Sequence, residues 1–399
     1  MGDLDRLLAA FNADDLCRPD ASQPNFIDLV RAVAAIGGVQ DLPYSPNVDA
    51  IGDRIGQPEH LVFVLVDGLG SHHFEELADD SWLRTHLSSD IQSVFPPTTG
   101  AAVTSMATGL WPAEHGAVGW WTYLTQIRET ACILPFVRHR DGTPLLDAGI
   151  IPDDAFGSAP IMGRMSWDTA VSQPASIIDS AYSTWFGDGA RTIPYDRYGE
   201  AAEAIAARIR DAERPTFTYW YTPAVDHQSH ENGAASTEAR TALTEVDEGL
   251  AYLADELTGL DARIVVTADH GHRDAGSRFP IEGDDPLCAF LRTPPSGDMR
   301  IGFYHLQDGA RLPFSHEFHD RFGEHFALIT TQQLDDLRLL GPDPLAPETR
   351  RRVGDFTSLA LDDSVMRYTG GSDGDHFMHQ RSHHSGLSHR EMTIPLVIG

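Results

Sequence analysis

The 399-residue chain carries 59 acidic and 29 basic residues, a net charge of −30, and every basic residue is an arginine. Without lysine there is no Schiff base, no P-loop and no lysine general base. So acidic a surface repels nucleic-acid backbones and anionic membranes, and a small anionic substrate would need a strong local positive centre such as a metal.

The three cysteines, Cys17, Cys132 and Cys288, are far apart and lack C-x-x-C spacing. That fits a reducing compartment and argues against a disulfide framework or a cysteine-type zinc site. The N-terminal residues are acidic with no apolar run behind them, and no stretch of about 18 apolar residues occurs. The expectation is a cytoplasmic protein that neither spans nor binds a membrane. Histidine is abundant, at 19 residues, and several stand beside aspartate after apolar runs.

In chain order, residues 1–57 read as an N-terminal helical extension, in which 24–36 has helical apolar spacing and Gly37-Gly38 ends it. The main domain is expected over 58–399. Residues 61–66 (LVFVLV) are a continuous apolar run ending at Asp67-Gly68, the pattern of a buried parallel strand. A helix is expected over 71–87, a short strand over 91–95, a turn at Pro96-Pro97-Thr98-Thr99-Gly100, and a helix over 101–108 closed by Gly109. Residues 120–195 have no clear period and many Pro and Gly, and read as an inserted cap segment. A helix over 199–212 and an aromatic, β-branched strand over 215–221 (PTFTYWY) follow. Leu243, Val246, Leu250, Leu253 and Leu257 mark one apolar helix face. Residues 263–268 (RIVVTA) form another buried strand ending at Asp269-His270. Residues 275–375 are again irregular, with short helical pieces around 331–340 and 346–353, and read as a second inserted cap. The last strand is expected over 392–398. Strands thus alternate with helices, and polar residues collect at strand C-termini. The pattern is α/β: a mostly parallel central sheet with helices on both faces and a ligand site at its carboxyl edge, beneath the caps.

Metal-type ligands stand just after a strand or in a loop at four places: Asp67, the pair Asp226 and His230, the pair Asp269 and His270, and His384. Imidazole and carboxylate are the ligands zinc accepts when cysteine is absent. Asp226 and His230 are four residues apart, so a helical turn aims both at one ion. Six such ligands suffice for two metals, which would stand about 4 Å apart. The His-rich set favours two zinc ions, with manganese the alternative. Thr99 follows a strand and a Pro-Pro turn and opens a helix, whose free N–H groups suit an incoming phosphoryl group. With no lysine to activate its hydroxyl, a bound metal is the natural activator. A dinucleotide fingerprint at Asp67-Gly68-Leu69-Gly70 fails, because His73 stands where the third glycine belongs. His72, His73, His115 and His227 read as structural or solvent-facing. Trp120, Trp121 and Tyr123 read as core, with stacking on a planar leaving group the functional alternative.

Residues 95–116 (FPPTTGAAVTSMATGLWPAEHG) resemble the nucleophile segment of the type I phosphodiesterase/nucleotide pyrophosphatase branch of the alkaline phosphatase superfamily. Asp67, Asp226-x-x-x-His230, Asp269-His270-Gly271 and His384-Ser-Gly-Leu-Ser388 fall in that family's order. The resemblance covers roughly 60–120, 214–275 and 380–399, and the cap blocks match nothing. It implies an alkaline-phosphatase-like fold and an enzyme that hydrolyses small phosphate esters or nucleotides through a covalent phospho-threonine at Thr99. It also implies the ligand sets: Asp67, Thr99, Asp269 and His270 around one zinc, and Asp226, His230 and His384 around the other. His384 is preferred to its rival His383 because it directly precedes the Ser-Gly-Leu-Ser turn. One departure matters: many members carry Asn three residues after the nucleophile, and here that position is Ala102. A phosphomonoesterase or phosphonate hydrolase on the same metal core is therefore the alternative. Such a site would need an extra cation, for which Arg164 and Arg273 are candidates. A sulfatase reading fails because Cys17-Arg-Pro-Asp-Ala lacks the arginine of C-x-P-x-R and lies outside the core. A phosphomutase would carry Ser where Thr99 stands.

Overall fold

The computed structural model describes residues 2–399. Its centre is the strand His60–Val66, apolar from Leu61 onward and buried along its whole length. A strand with no polar side needs cover on both faces and parallel neighbours of the same kind. It has both neighbours: Thr216–Thr222 pairs with it on one edge and Ala262–Thr267 on the other, each in parallel. Across this seven-stranded sheet the order is Leu87–Gln92, Thr393–Ile398, Ala262–Thr267, His60–Val66, Thr216–Thr222, Asp168–Pro174, Arg191–Tyr195. The last five are mutually parallel, and Thr393–Ile398 runs antiparallel to both its neighbours. The fold is thus α/β with a mostly parallel central sheet.

A second seven-stranded sheet is antiparallel in its pairings. It joins Trp121–Leu124, Glu129–Cys132 and Val137–Arg138 to Ser296–Asp298, Ile301–Tyr304, Phe326–Thr330 and Phe356–Ala360. The two blocks read as irregular caps therefore meet in one sheet. They are also not uniform insertions, since Asp168–Pro174 and Arg191–Tyr195, inside the block 120–195, belong to the central sheet. The N-terminal segment is helical over Asp3–Asn12, Phe26–Ile36 and Pro46–Ile55. Its middle helix lies in the main core, and Arg31 there donates to the Gly109 carbonyl at 2.9 Å.

Two expected elements differ. Residues 71–87 do not make one helix: a 3-10 turn covers Ser71–Glu75 and a short helix covers Trp82–Thr85, after which Leu87 already belongs to a strand. Ser81 accepts the Arg84 N–H, and the Asp247 carboxylate accepts those of Trp82 and Leu83, so a new helix starts there. The strand expected over 91–95 lies earlier, at Leu87–Gln92. It is an edge strand with a single buried residue, Ile91, and so lacks an apolar run to announce it.

Candidate active site

Parallel register assembles the site. Val66 pairs with Thr222, and Leu65 with Thr267. Asp67 is one residue past the central strand, Asp269 two past its neighbour, and Asp226 four past the other, so three carboxylates meet at one sheet edge. Backbone bonds fix the approach: Asp67 N–H donates to the Thr222 carbonyl at 2.9 Å, and Asp226 N–H to the Asp67 carbonyl at 3.0 Å. Gly68 is required between them. Its φ is +76°, and a Cβ there would stand 2.8 Å from the Asp226 Cα and 2.9 Å from the His272 ring.

Four imidazoles close on these carboxylates, and each presents its Nε2 to them. His270 Nε2 is 3.3 Å from Asp67 Oδ1 and 3.5 Å from Asp269 Oδ2. His272, His230 and His384 Nε2 stand 2.8, 3.3 and 3.9 Å from Asp226 Oδ1. On the far side of each ring, Nδ1 faces a protein oxygen: Gly271 O for His270 at 3.2 Å, Ser382 Oγ for His272 at 2.9 Å, Ser382 O for His230 at 2.8 Å and Pro97 O for His384 at 3.1 Å. An Nδ1–H donated outward leaves the Nε2 lone pair turned inward, the arrangement of metal-ligating histidines.

The electrostatics call for a cation. Burial, then the carboxylates of Asp269 and Asp226, hold Asp67 well above the usual carboxylate range. Burial acts the same way on Asp226, but His230 and His272 beside it hold it well below that range. Burial, reinforced by neighbouring imidazoles, pushes His384 down. Asp67 Oδ1 and Asp269 Oδ2 are buried without any hydrogen-bond partner from the protein. A divalent cation satisfies both at once, so the residues present fit a metal. Ligand atoms converge within 4.8 Å in three groups: Asp67, Asp269 and His270; Asp226, His270 and His384; Asp226, His230 and His272.

Thr99 is the first residue of the buried helix Thr99–Thr108, and its Oγ1 lies 3.2 Å from His270 Nε2. The N–H groups of Ala101 and Ala102 bond the Thr98 carbonyl; those of Thr99 and Gly100 take no acceptor among the described residues. The cleft above Thr99, about 210 Å³, is walled by Trp120, Trp121, Asp298, Met299, Phe377 and Gln380, and it includes Asp226, His230 and His384. All seven residues named from sequence thus come together. Ala102 is fully buried in the core, and its methyl group offers no hydrogen-bond donor. The candidate arginines do not arrive: Arg164 pairs with Asp41, and Arg273 lines a separate surface pocket. His383 lines the cleft but lies in none of the three ligand groups, whereas His384 does. His115 and His73 are buried, as a structural role demands, while His227 lines the cleft.

Two residues escaped the sequence reading. His272 carries a usable signal, since it ends Asp-His-Gly-His two residues after His270, directly behind an apolar strand. Asp298 carries none. It sits in the second sheet, 7% exposed, accepting from Thr98 Oγ1 at 2.7 Å, Trp120 N–H at 3.1 Å and Met299 N–H at 2.8 Å.

Carboxylates and imidazoles at the carboxyl edge of a mostly parallel sheet, with a hydroxyl at a helix N-terminus beside them, define the class of metal-dependent phosphoryl-transfer folds. The comparisons agree with that class. The family model described as type I phosphodiesterase / nucleotide pyrophosphatase matches residues 61–287, and the chain belongs to that family, within the alkaline phosphatase superfamily. No curated protein matches it in sequence. Among solved structures, murine ectonucleotide pyrophosphatase/phosphodiesterase 5 is similar with a TM-score of 0.58 and 16% identity, over 84% of this chain and 87% of that one. An inactive threonine-to-alanine variant of the same mouse protein, solved in complex with AMP, matches equally well. Phosphonoacetate hydrolase from Sinorhizobium meliloti, bound to phosphonoformate, has a TM-score of 0.58 and 18% identity, over 86% of this chain and 90% of that one.

Proposed function

We propose that this enzyme is a dizinc phosphodiesterase or nucleotide pyrophosphatase that cleaves small phosphodiesters through a phospho-threonine at Thr99. The observation that carries the reading is the Thr99 hydroxyl, held at a helix N-terminus and 3.2 Å from His270 Nε2. Asp67, Asp269 and His270, with Thr99, would hold one ion; Asp226, His230 and His384 the other, with His272 a further donor facing Asp226. Zinc bound there would lower the pKa of the Thr99 hydroxyl and neutralise phosphoryl charge.

Thr99 Oγ then forms a bond to phosphorus on the face opposite the leaving group. The Thr99 hydroxyl proton passes to water, the bond to the leaving oxygen breaks, and that oxygen takes a proton from water and departs as the alcohol. The free N–H groups of Thr99 and Gly100 receive a non-bridging oxygen, the role Ala102 cannot take. Water hydrolyses the phospho-threonine and regenerates the hydroxyl. Burial, its largest influence, holds His270 below its usual pKa, so the ring stays neutral and its Nε2 remains an acceptor at neutral pH.

The diester preference rests on charge. A monoester brings one more negative charge than a diester, and among the described residues no arginine lines the cleft. The mouse variant in which alanine replaces a threonine is described as inactive; the same role for Thr99 predicts that Thr99→Ala loses at least about 10⁴-fold in kcat yet keeps its metal. Activity on a chromogenic diester, with metal content by mass spectrometry, checks this. Full turnover in that variant would overturn the nucleophile. Turnover dominated by a monoester or by phosphonoacetate would overturn the substrate class.

A further inference from the structure

A second cleft, of about 230 Å³, is lined by Arg128, Glu129, Thr130, His139, Arg140, Arg292 and Gly370-Gly371; Glu129, its one carboxylate, is paired with Arg138 and Arg140. Three arginines in one cleft stand out in a chain of net charge −30. Two are paired: Arg140 with Glu129 and Asp141, each at 3.2 Å, and Arg292 with Asp308 at 3.5 Å. Arg128 has no carboxylate partner among the described residues. It also holds a left-handed φ of +55°, where glycine or asparagine costs less. The uncharged lining points the same way. Thr130 is 5% exposed, and its buried hydroxyl has no hydrogen-bond partner. The N–H groups of Gly370 and Gly371 take no acceptor among the described residues. Both positions demand glycine, since a Cβ would stand 2.3 Å from the Tyr368 hydroxyl or 2.1 Å from His139 Nε2. The backbone is thereby brought against the cleft with two donors unspent, the geometry of an anion-binding concavity.

We infer that this cleft is a second anion site, separate from the metal cluster, which binds a phosphate-sized dianion through Arg128, Arg292, Thr130 and the Gly370-Gly371 backbone. The site borders the reaction. His139 Nε2 and Trp121 Nε1 both bond Asp373 at 2.9 Å, and the Arg367 guanidinium, paired with the same carboxylate, stacks on Trp121 at 4.0 Å. An anion seated on Gly371 therefore rests one side chain behind the substrate wall.

Calorimetric titration of the full chain with inorganic phosphate tests this. EDTA-treated protein should bind one phosphate saturably, because the site needs no metal. Arg128→Ser combined with Arg292→Ser should weaken that binding roughly tenfold or more, the loss of charge-assisted hydrogen bonds. Diester turnover measured without phosphate should be unchanged in the same variant. Thr130→Val keeps the net charge and should still weaken binding several-fold; unchanged affinity there would reduce the site to diffuse attraction and overturn it. No saturable binding to metal-free protein, or equal binding by the arginine variant, would also overturn it, as would AMP binding there more tightly than phosphate. The metal-free arm does not depend on the phosphodiesterase reading, so the two can fail separately.

Discussion

The two seven-stranded sheets divide the labour. The parallel one delivers the proposed ligands: its strands end in register, and Asp67, Asp226 and Asp269 emerge at one edge. The antiparallel one delivers walls. It contributes Trp121 and Asp298 to the cleft and no residue to the ligand groups. The proposed chemistry and its selectivity thus sit on separate layers, and a mutation in each should fail differently.

The largest effect is expected in the parallel layer. Asp269 is fully buried, accepts the N–H groups of Gly68 and His270 through Oδ1, and leaves Oδ2 for a cation. Asp269→Ala should lose about 10³-fold or more in kcat together with one metal equivalent, read by paired rate and metal analysis. Retention of both ions would sink the ligand assignment. In the antiparallel layer, Asp298→Ala removes the acceptor that ties Thr98, the residue before the proposed nucleophile, to the opposite sheet. A misplaced nucleophile costs about 10²-fold in kcat. Metal content should hold, and Asp298→Asn, which keeps an accepting oxygen, should recover much of the rate. If both variants lose metal instead, the division between the layers is wrong.

That division also explains what the sequence disclosed. The proposed ligands were legible because a buried strand end is apolar, so Asp67 and Asp269 stand out as the first polar residues after LVFVLV and RIVVTA. His384 was legible through its family motif. The walls were not. Trp121–Leu124 and Ser296–Asp298 are far apart in the chain and pair only through Gly297 and Trp121. No local period records such a contact, so Asp298 read as loop. Residues 71–87 misled for a related reason: the break at Ser81 depends partly on Asp247, a carboxylate distant in sequence.

A smaller effect tests the walls as determinants of selectivity. The Trp120 ring borders the cleft 6.2 Å from Phe377. If this edge takes a planar leaving group, Trp120→Ala should raise KM about three- to tenfold for aryl or nucleoside diesters. A methyl diester should be turned over as before. Equal losses on both would return Trp120 to a packing role.

The smallest effect lies where the layers join. His115 Nδ1 accepts the Ala117 N–H at 3.1 Å, and its Nε2 faces Ser105 Oγ, on the Thr99–Thr108 helix, at 2.9 Å. Arg352, which leads towards the second sheet, donates to the Gly116 carbonyl at 3.0 Å. Burial, with Arg352 adding to it, pushes the His115 pKa down to about 3. A folded pKa below the unfolded value of about 6.5 means that the ring is neutral in both states above that pH, so stability is fully present there. As pH falls below 6.5, the unfolded chain takes up a proton that the folded one refuses. Stability is then lost, by about 2 kcal/mol at pH 5 from this residue alone, until the folded pKa is reached. Unfolding free energies of the metal-free chain at pH 7 and pH 5, from urea titration, should therefore converge in His115→Gln by about that amount relative to the parent. Chelated protein is needed so that metal loss does not mimic the effect. An unchanged pH dependence would show that acid does not reach this joint, and the two layers would then have to be treated as one cooperative unit.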